Sequence, residues 1–538
     1  MKLIYTGRAS RSLGLLLALT AIDLSATSAL AQTASDATQA PKRTVDINEY
    51  FVQGNTLLSD ADIERAVYPY LGPQKTLDDI ERARAALQTV FETHGYKTVI
   101  VEIPKQNVVG GRVVLNVVEA RLGHVEVAGA KHSSDRRIEA ALPALAEGEV
   151  PDLDRFGTQL GVLNGQSADR QVTPELKAGT EPGTIDAVLT VQDKVPLHGS
   201  LEVSNRYSEG TTRTRLQAGM NYNDLWGAGH SISAFYAVAP ERPDDSQVVV
   251  LDYGLPLSNS LHFDVSALSS NSNVATVGST DVLGNGSSVT AALSKTLPSI
   301  GNYSQSLSLS VAWKDFKEDV TFGTDTSHAP ITYYPVSVDY TASTSGDTSS
   351  LNYNLGLTFA LRGLAGSDSL AFDNKRFLST GGFAYLRAGA TYRHDLPKGA
   401  SFRATVNGQL ANEPLISNEQ FAAGGASSVR GYFESQAIGD DGVSGSLELR
   451  SPSFAGRLGA AHVNDLRLLV FADAAQVFVK NPLAEQKSFY DLASLGTGLR
   501  LKLFDHVNGD LDLAWPLRTL DDTRAGHPRL HFRFSADY

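Results

Sequence analysis

The strongest constraint on the fold is an alternation of apolar and polar residues that recurs throughout residues 195–538. In the final segment, "RLHFRFSADY" (529–538), most alternate residues are apolar and those between them are charged or polar. Side chains of a β-strand point alternately to opposite faces, so the pattern predicts strands with one apolar and one charged face. A soluble β-sandwich would bury the apolar faces, whereas a transmembrane barrel would turn them to lipid and leave the charges in water.

Sixteen candidate strands can be placed in this region, separated by clusters of Gly, Asn, Asp, Ser and Pro. An average of about 21 residues per strand and loop suits tilted strands of roughly ten residues that cross a bilayer. An even number lets an antiparallel sheet close with both chain ends on one side. We therefore predict a 16-stranded antiparallel transmembrane β-barrel over residues 195–538. The strands are expected to begin near Leu197, Thr212, Gly229, Ser246, Leu261, Ser287, Ser304, Ile331, Ser349, Ala384, Ser401, Val443, Asp465, Leu495, Gly509 and Arg529.

The residues before the barrel contain a repeat. "FVQGNTLLSDADI" (51–63) aligns with "EVAGAKHSSDRRI" (126–138) at an offset of 75, and "VVLNVVEA" (113–120) aligns with "AVLTVQDK" (187–194) at an offset of 74. Each unit is expected to start with a short strand ending in a glycine turn, to continue with two helices and to close with two strands. The repeat predicts two α+β modules of similar size.

This β-α-α-β-β order resembles the POTRA domain, the periplasmic receptor module of outer-membrane assembly and secretion barrels. Residues 45–120 would form the first POTRA domain and residues 121–194 the second. Gly54-Asn55 and Gly95-Tyr96 are typical of the domain and occur in the first copy. The alternative is an unrelated small α+β module.

The N-terminus reads as a signal peptide at residues 1–31. A basic start precedes the short apolar core "LGLLLALTAI" (13–22), and "ALA" (29–31) gives a small-x-small cleavage pattern. The alternative is a buried N-terminal helix. Residues 32–44 form a polar tail. No later stretch reaches about 18 uninterrupted apolar residues, so residence in a membrane would require a barrel.

The loop predicted between the eleventh and twelfth strands, residues 412–442, carries the sequence "VRGY". The first strand would rise from the periplasm, so this is the sixth extracellular loop. VRGY in the sixth loop resembles the superfamily that combines POTRA domains with a sixteen-stranded barrel, in which this loop folds back into the barrel interior. The resemblance makes these four residues the functional loop motif: Val429, Arg430, Gly431 and Tyr432.

A guanidinium inside a partly desolvated barrel requires an anionic partner, and its planar fork suits a carboxylate. On the thirteenth strand, alternation in "LRLLVFADAAQV" places Phe471 and Asp473 on the interior face. The family's matching motif also has an aromatic residue and an aspartate on this strand. The resemblance therefore assigns Arg430 as the cation of the loop tip, Asp473 as its anchor and Tyr432 as a packing partner. The alternative is a surface loop with a solvated arginine.

The last residues resemble the C-terminal insertion signal of outer-membrane barrels. Such barrels end with an aromatic residue that the insertion machinery recognises. The resemblance assigns this role to Phe534 and Tyr538, although phenylalanine is more usual than tyrosine at the final position.

Several chemistries find no support in the sequence. Cysteine is absent, which excludes disulfides, thiol nucleophiles and cysteine-ligated zinc. No G-x-S-x-G, H-E-x-x-H or Walker motif occurs, and the histidines lack metal-ligand spacing. The formal net charge of −13 argues against nucleic-acid binding. We therefore expect no catalytic residue, no metal and no cofactor, and a protein that is not an enzyme.

Two POTRA domains followed by a sixteen-stranded barrel resemble the two-partner secretion transporters (TpsB type, the ShlB/FhaC/HecB hemolysin secretion/activation family). The resemblance implies a location in the outer membrane of a Gram-negative bacterium, with the POTRA domains in the periplasm. It also implies export of an unfolded exoprotein through the barrel pore. The implied partners are a large β-helical exoprotein (TpsA type), outer-membrane lipid and, during biogenesis, the barrel-assembly machinery, without nucleic acid.

Three other functions remain open at this stage. An insertase-type assembly factor would have more POTRA modules and a client that stays in the membrane. A diffusion porin would need no POTRA repeat, and an adhesin would place its signal in extracellular loops. Family members often carry an N-terminal helix that plugs the pore. The 13 residues at 32–44 are too few for such a helix and its linker, so we expect none and assign gating to the loop.

Overall fold

The computed structural model describes residues 44–272, 275–277, 281–322, 325–360, 362–363, 366–459 and 462–538. The predicted signal peptide and residues 32–43 of the predicted polar tail lie outside this part of the chain. The expected absence of a plug helix concerns the same residues. Among the described residues, no helix has both the length and the apolar character needed to cross a bilayer.

The first module combines two helices with a small sheet. Ser59 caps the first helix by accepting a hydrogen bond from the backbone N–H of Asp62, and Gly95, at φ 91°, follows the second helix. Ile47, Ile80 and Val113 are buried together in the core. The helices are Asp60–Val67 and Leu77–Thr93; the three-stranded sheet has the order Glu49–Gln53, Arg112–Val118, Ile100–Glu102; and Val45–Ile47 pairs with Gly72–Lys75.

The second module has the same order of elements. Its central strand runs parallel to one neighbour and antiparallel to the other, as in the first module. Asp152 caps the longer helix, whereas Ser134 makes no side-chain capping bond before the shorter one. Instead, the Asp193 carboxylate accepts hydrogen bonds from the backbone N–H groups of residues 131–133. The helices are Asp135–Ala140 and Leu153–Gly165, and the sheet has the order Arg121–Ala128, Thr184–Asp193, Arg170–Ala178.

A closed antiparallel barrel of sixteen strands follows, in which each strand pairs with the next and the last pairs with the first. The predicted fold class is confirmed. The eighth strand consists of two segments separated at Tyr334, and both pair with the seventh. In order, the strands are Leu197–Ser204, Arg215–Leu225, His230–Val238, Ser246–Pro256, Leu261–Ser272, Gly286–Ile300, Tyr303–Phe322, Asp325–Tyr333 with Pro335–Ser345, Ser349–Ala360, Ala384–Asp395, Ser401–Ala411, Asp441–Arg450, Val463–Phe478, Phe489–Leu503, Val507–Pro516 and Arg529–Asp537.

Apolar side chains on the outside of the barrel remain exposed, as the alternation predicts. Leu468 and Val470 on the thirteenth strand are 51% and 55% exposed, whereas Leu469 between them and the next residue, Phe471, are buried. The fourteenth strand begins at Phe489, six residues before the predicted start at Leu495, because it continues upward to pair with the long thirteenth strand.

The pairing between the first and last strands, which closes the barrel, is shorter than the pairings between its other neighbouring strands. The last strand pairs with the first over five residues, from Arg533 opposite Ser204 to Asp537 opposite Ser200. Backbone bonds extend this contact by one position at each end, between Gly199 and Tyr538 at one end and from the N–H of Asn205 to the carbonyl of Phe532 at the other. The thirteenth and fourteenth strands, by comparison, share fifteen pairs.

Short elements outside the barrel strands complete the described structure. They are the 3-10 turns Tyr68–Tyr70, Pro143–Leu145, Pro243–Asp245, Pro397–Gly399 and Ser417–Glu419; the helices Ser369–Lys375 and Ala455–Leu458; and the paired strands Ala275–Val277 with Asp281–Leu283 and Phe421–Ala423 with Ala437–Gly439.

Candidate functional site

The connection between the eleventh and twelfth strands, residues 412–440, is buried although it is a loop. It contains a 3-10 turn and a two-stranded hairpin, and Val429 and Tyr432 have no exposed surface. These side chains pack with Ala475 and Leu492, which lie on the interior faces of the thirteenth and fourteenth strands. A loop with such neighbours occupies the interior of the barrel, and we call it the inward loop.

The tip of the inward loop is joined to the wall by a bidentate ion pair. The Nε and Nη2 atoms of Arg430 donate hydrogen bonds to the two carboxylate oxygens of Asp473, at 2.7 and 2.8 Å. The backbone N–H of Arg430 also donates to this carboxylate, at 3.1 Å. Both residues are buried. A parallel fork of this kind is among the strongest polar contacts in proteins, because charge and direction are satisfied together.

Further acidic groups surround the same guanidinium. Its Nη1 atom lies 2.8 Å from Glu448 and 3.6 Å from Asp512. These carboxylates also pair with wall arginines, since Arg450 lies 2.8 Å from Glu448 and Arg500 lies 2.7 Å from Asp512. Cations and carboxylates therefore alternate across this wall, which offsets part of the cost of burying them.

Phe471 and a histidine complete the contacts of the loop tip. The guanidinium carbon of Arg430 lies 3.5 Å from the centre of the Phe471 ring, in a cation–π arrangement. The next residue, Gly431, has φ 96° and donates its backbone N–H to Nε2 of His531 at 2.8 Å. An added Cβ would lie 3.3 Å from Pro516, so glycine satisfies both the conformation and the close approach.

Tyr432 holds the loop from a different direction. Its hydroxyl donates to the backbone carbonyl of Arg518 at 2.8 Å and lies 3.1 Å from that of Ala493. The structure thus brings Arg430, Phe471 and Asp473 into direct contact and places Tyr432 in the adjoining apolar cluster.

A second buried charge anchors the other half of the inward loop. Glu419 has no exposed surface, and its carboxylate accepts hydrogen bonds from Lys314, Tyr333 and Tyr385 at 2.5, 2.5 and 2.7 Å. These partners lie on the seventh, eighth and tenth strands. Burial raises the pKa of Glu419, but Lys314 and the donated hydrogen bonds outweigh it, so the pKa lies below its ordinary value.

The base of the inward loop is closed by Asp440. One oxygen of its buried carboxylate accepts the backbone N–H of Leu415 at 2.7 Å, and the other accepts the backbone N–H of Lys480 at 2.7 Å. The side chain of Arg376 lies 3.7 Å away. This carboxylate ties the start and the end of the loop to the link after the thirteenth strand.

Phe534 and Tyr538, assigned to the insertion signal, lie apart from this site. Phe534 faces outward and is 43% exposed, and Tyr538 is 85% exposed at the end of the last strand. Their role in insertion stays a prediction.

Sequence reasoning missed several members of the site, namely Glu448, Asp512, His531, Glu419 and Tyr385. Alternation places all but the loop residue Glu419 on interior faces. A comparison of the inward-facing charged residues on the strands near Asp473 would have identified Glu448 and Asp512.

Comparison with known families defines the class of protein. The family model described as haemolysin secretion/activation protein ShlB/FhaC/HecB matches residues 183–501, more than half of the chain. A model described as POTRA domain, ShlB-type, matches residues 45–120. Together with the closed barrel, these matches define an outer-membrane transporter with a POTRA domain at residues 45–120, which is not an enzyme class. The chain belongs to the haemolysin secretion/activation protein family, the two-partner secretion transporters of the outer membrane, whose POTRA domains lie in the periplasm.

Individual relatives agree with this family. The outer membrane transporter CdiB of Dickeya dadantii is 22% identical over 431 residues, covering 76% of this chain and 72% of its own. The solved structure of CdiB from Escherichia coli superposes with a TM-score of 0.65 at 18% identity and covers 94% of this chain and 93% of that one. BamA from Haemophilus ducreyi lacking POTRA domains 1–3 gives a TM-score of 0.54 at 14% identity, covering 92% and all of its chain, which reflects a shared fold.

Proposed function

We propose that this protein exports an unfolded exoprotein from the periplasm to the cell surface, as the outer-membrane half of a two-partner secretion pair. The observation that carries the proposal is the inward loop of a family transporter, held across the barrel interior by Arg430 and Asp473. A loop in this position occupies the route that a translocating chain would take, so it fits a gated conduit better than an open diffusion pore.

The POTRA modules would capture the client. Each module presents a three-stranded sheet with two edge strands whose backbone groups lack a partner strand within the sheet. An extended client segment can add to such an edge through main-chain hydrogen bonds, which require no particular client sequence. In the second module the candidate edges are Arg121–Ala128 and Arg170–Ala178. Capture of an unfolded chain by edge pairing would deliver it in an extended form.

The inward loop would act as the gate, with Arg430 and Asp473 as its latch. The client can pass only if the loop leaves the interior or rearranges within it. Release would require the buried guanidinium and its carboxylates to exchange partners, so the latch sets a barrier to opening. Folding of the exoprotein outside the cell would then bias the direction of transport.

Deletion of the gene tests this function against its alternative. In the deletion strain we expect one or a few large proteins to disappear from the culture medium, while the set of outer-membrane proteins stays unchanged. Complementation with the full chain should restore secretion. A general loss of outer-membrane proteins would instead support an insertase-type assembly factor. An unchanged secretome and membrane would overturn the export proposal.

A further inference from the structure

The interior of the barrel has two walls of different chemistry. On the inward faces of the sixth to ninth strands, nearly all polar groups are hydroxyls and side-chain amides. The seventh strand shows this most plainly, because four successive inward positions are serine. Those serines are Ser304, Ser306, Ser308 and Ser310; their inward neighbours include Thr290, Ser294, Ser337, Thr341, Ser343, Asn352, Asn354 and Thr358. We call this surface the hydroxyl wall.

Charge is almost excluded from the hydroxyl wall. Below Lys314, toward the periplasmic end, the described part of these four strands carries one charged inward side chain, Asp339. A cavity of about 490 Å³ lies against the wall beside residues such as Ser306, Thr341 and Asn352, and no charged residue lines it.

The opposite wall is dense in charge, and many of its charges form ion pairs. Arg533 lies 2.6 Å from Glu202 and 3.1 Å from Asp510, and Arg500 bonds to Asp512. This wall also receives the tip of the inward loop. These charged groups bind one another and the loop, and the cavity beside them, about 260 Å³, is lined by charged residues such as Arg403 and Arg500. The larger cavity beside the hydroxyl wall is lined by no charged residue.

We propose that the hydroxyl wall is the track along which the exported polypeptide slides, which rests on the export function proposed above. Inward side chains repeat every second residue, about 7 Å along a strand, and an extended client presents its own backbone groups with the same period. From Ser304 to Ser310 the track is about 20 Å long. Hydroxyls and amides both donate and accept hydrogen bonds, so they match N–H and C=O groups of any client sequence.

The strength of such contacts suits movement. A neutral hydrogen bond that replaces one to water contributes little net free energy, so each contact exchanges readily with water as the chain advances. A fixed charge would bind the opposite charges of the client more strongly in the low-dielectric interior and hold them longer. A conduit must bind its cargo well enough to admit it and weakly enough to release it.

The second module contacts the barrel near the strands that precede the hydroxyl wall. Its contacts with the barrel involve the first strand and the first two periplasmic turns: Asp169 lies 2.9 Å from His198, Arg137 lies 2.9 Å from Asp224, and Gln166 lies 3.4 Å from Asn259. The sixth strand begins one extracellular loop after the fifth, so the track starts next to these contacts around the barrel. None of these contacts lies beneath the hydroxyl wall.

Charge placed on the track should slow export. In the variant Ser306→Arg with Ser308→Arg, we expect secretion of the exoprotein found by gene deletion to fall about tenfold, since a single ion pair of ordinary strength slows a step by that factor. The matched variant Ser306→Asn with Ser308→Asn should secrete at the wild-type rate. Heat-modifiable migration of the barrel in both variants reports assembly. Equal secretion by the two assembled variants would overturn the proposal.

Cross-linking locates the client without relying on a disruptive charge. The natural chain has no cysteine, so Ser306→Cys and Lys502→Cys each introduce a unique thiol, on the hydroxyl wall and on the charged wall. The probe is the same exoprotein carrying single cysteines and arrested in transit by a fused domain that folds tightly before export. We expect a disulfide with position 306 at least about tenfold more often than with position 502. Equal or reversed cross-linking yields would overturn the track but not the export function. If gene deletion removes no protein from the culture medium, both proposals are overturned.

Discussion

The two anchors of the inward loop solve the same problem with opposite charges. At the tip, the cation Arg430 enters a wall of carboxylates and stacks on an aromatic ring. Eleven residues earlier in the chain, the anion Glu419 enters a wall of phenols and one lysine. The tip binds the thirteenth strand, whereas the other anchor binds the seventh, eighth and tenth strands. The loop therefore spans the barrel and holds both sides of it.

The difference between the anchors lies in how much each depends on charge. Arg430 faces three carboxylates, so loss of one partner leaves an imbalance among buried charges. Glu419 takes two of its three bonds from neutral hydroxyls, which remain compatible with a neutral partner. We infer that the tip anchor is strong but sensitive to single changes, and that the other anchor is weaker and more tolerant.

Asp473→Ala should have the largest effect. It removes both arms of the fork and leaves the buried guanidinium short of a partner, so loop docking should weaken by about 3–5 kcal/mol. The measurement is maleimide labelling of a Val429→Cys reporter, which is fully buried when the loop is docked. Asp465→Ala, on the same strand but paired with Arg467, is the control. Labelling no faster than in this control would contradict the tip anchor.

Glu419→Gln should have a smaller and differently placed effect. It keeps the shape of the side chain but removes its charge from Lys314, which should weaken docking of this half by about 2 kcal/mol. A Leu415→Cys reporter should become labelled while Val429→Cys stays protected. Glu413→Gln, whose carboxylate bonds to Thr380 at the loop start, is the matched control. If both reporters respond together, the loop moves as one body and the two anchors are not independent.

Arg430→Lys should come third. The ammonium keeps the charge among the carboxylates, but it cannot form the parallel fork or stack flat on Phe471. We expect docking to weaken by about 1 kcal/mol, so that Val429→Cys is labelled more slowly than in Asp473→Ala. Arg518→Lys, at an exposed pair with Asp491, should leave labelling unchanged. Labelling as fast as in Asp473→Ala would show that the fork, and not the charge, carries the anchor.

Titration should give the smallest effect, through Glu434 near the loop tip. Burial raises the pKa of this carboxyl above its ordinary value of 4.5, and this rise exceeds the opposing effects of the backbone N–H of Ala426 and of Arg206 and Arg215. Its contribution to docking is therefore fully present below 4.5 and is lost as pH rises through the raised pKa. Labelling of Val429→Cys should speed up with pH more steeply than in Glu434→Gln. Identical pH profiles would contradict this assignment.

Much of the barrel follows from the sequence, because alternation reports directly on which face each side chain occupies. In "LRLLVFADAAQV", the parity that exposes Leu468 and Val470 also turns Phe471 and Asp473 inward. The position of the inward loop follows from counting strands. The functional roles of Arg430 and Asp473 remain predictions, although the structure brings the two side chains into contact.

The second anchor could not be predicted in the same way. Glu419 lies in an irregular segment, where no periodicity indicates direction. Its partners come from three strands up to 105 residues away, and their heights match only through the stagger of the closed barrel. A single sequence gives the face of each strand residue but not the relative register of distant strands.

The short pairing between the first and last strands has a mechanical consequence. Hydrogen bonds of a ladder resist separation in proportion to their number, so outward pressure from a bulky passenger would part these two strands before their neighbours. The side chain of Asn205 forms hydrogen bonds with the backbone of Leu530 and Phe532 beyond the paired residues. These bonds stabilise the extracellular end of the pairing between the first and last strands. Separation of these two strands would therefore begin at their periplasmic end, beside Tyr538.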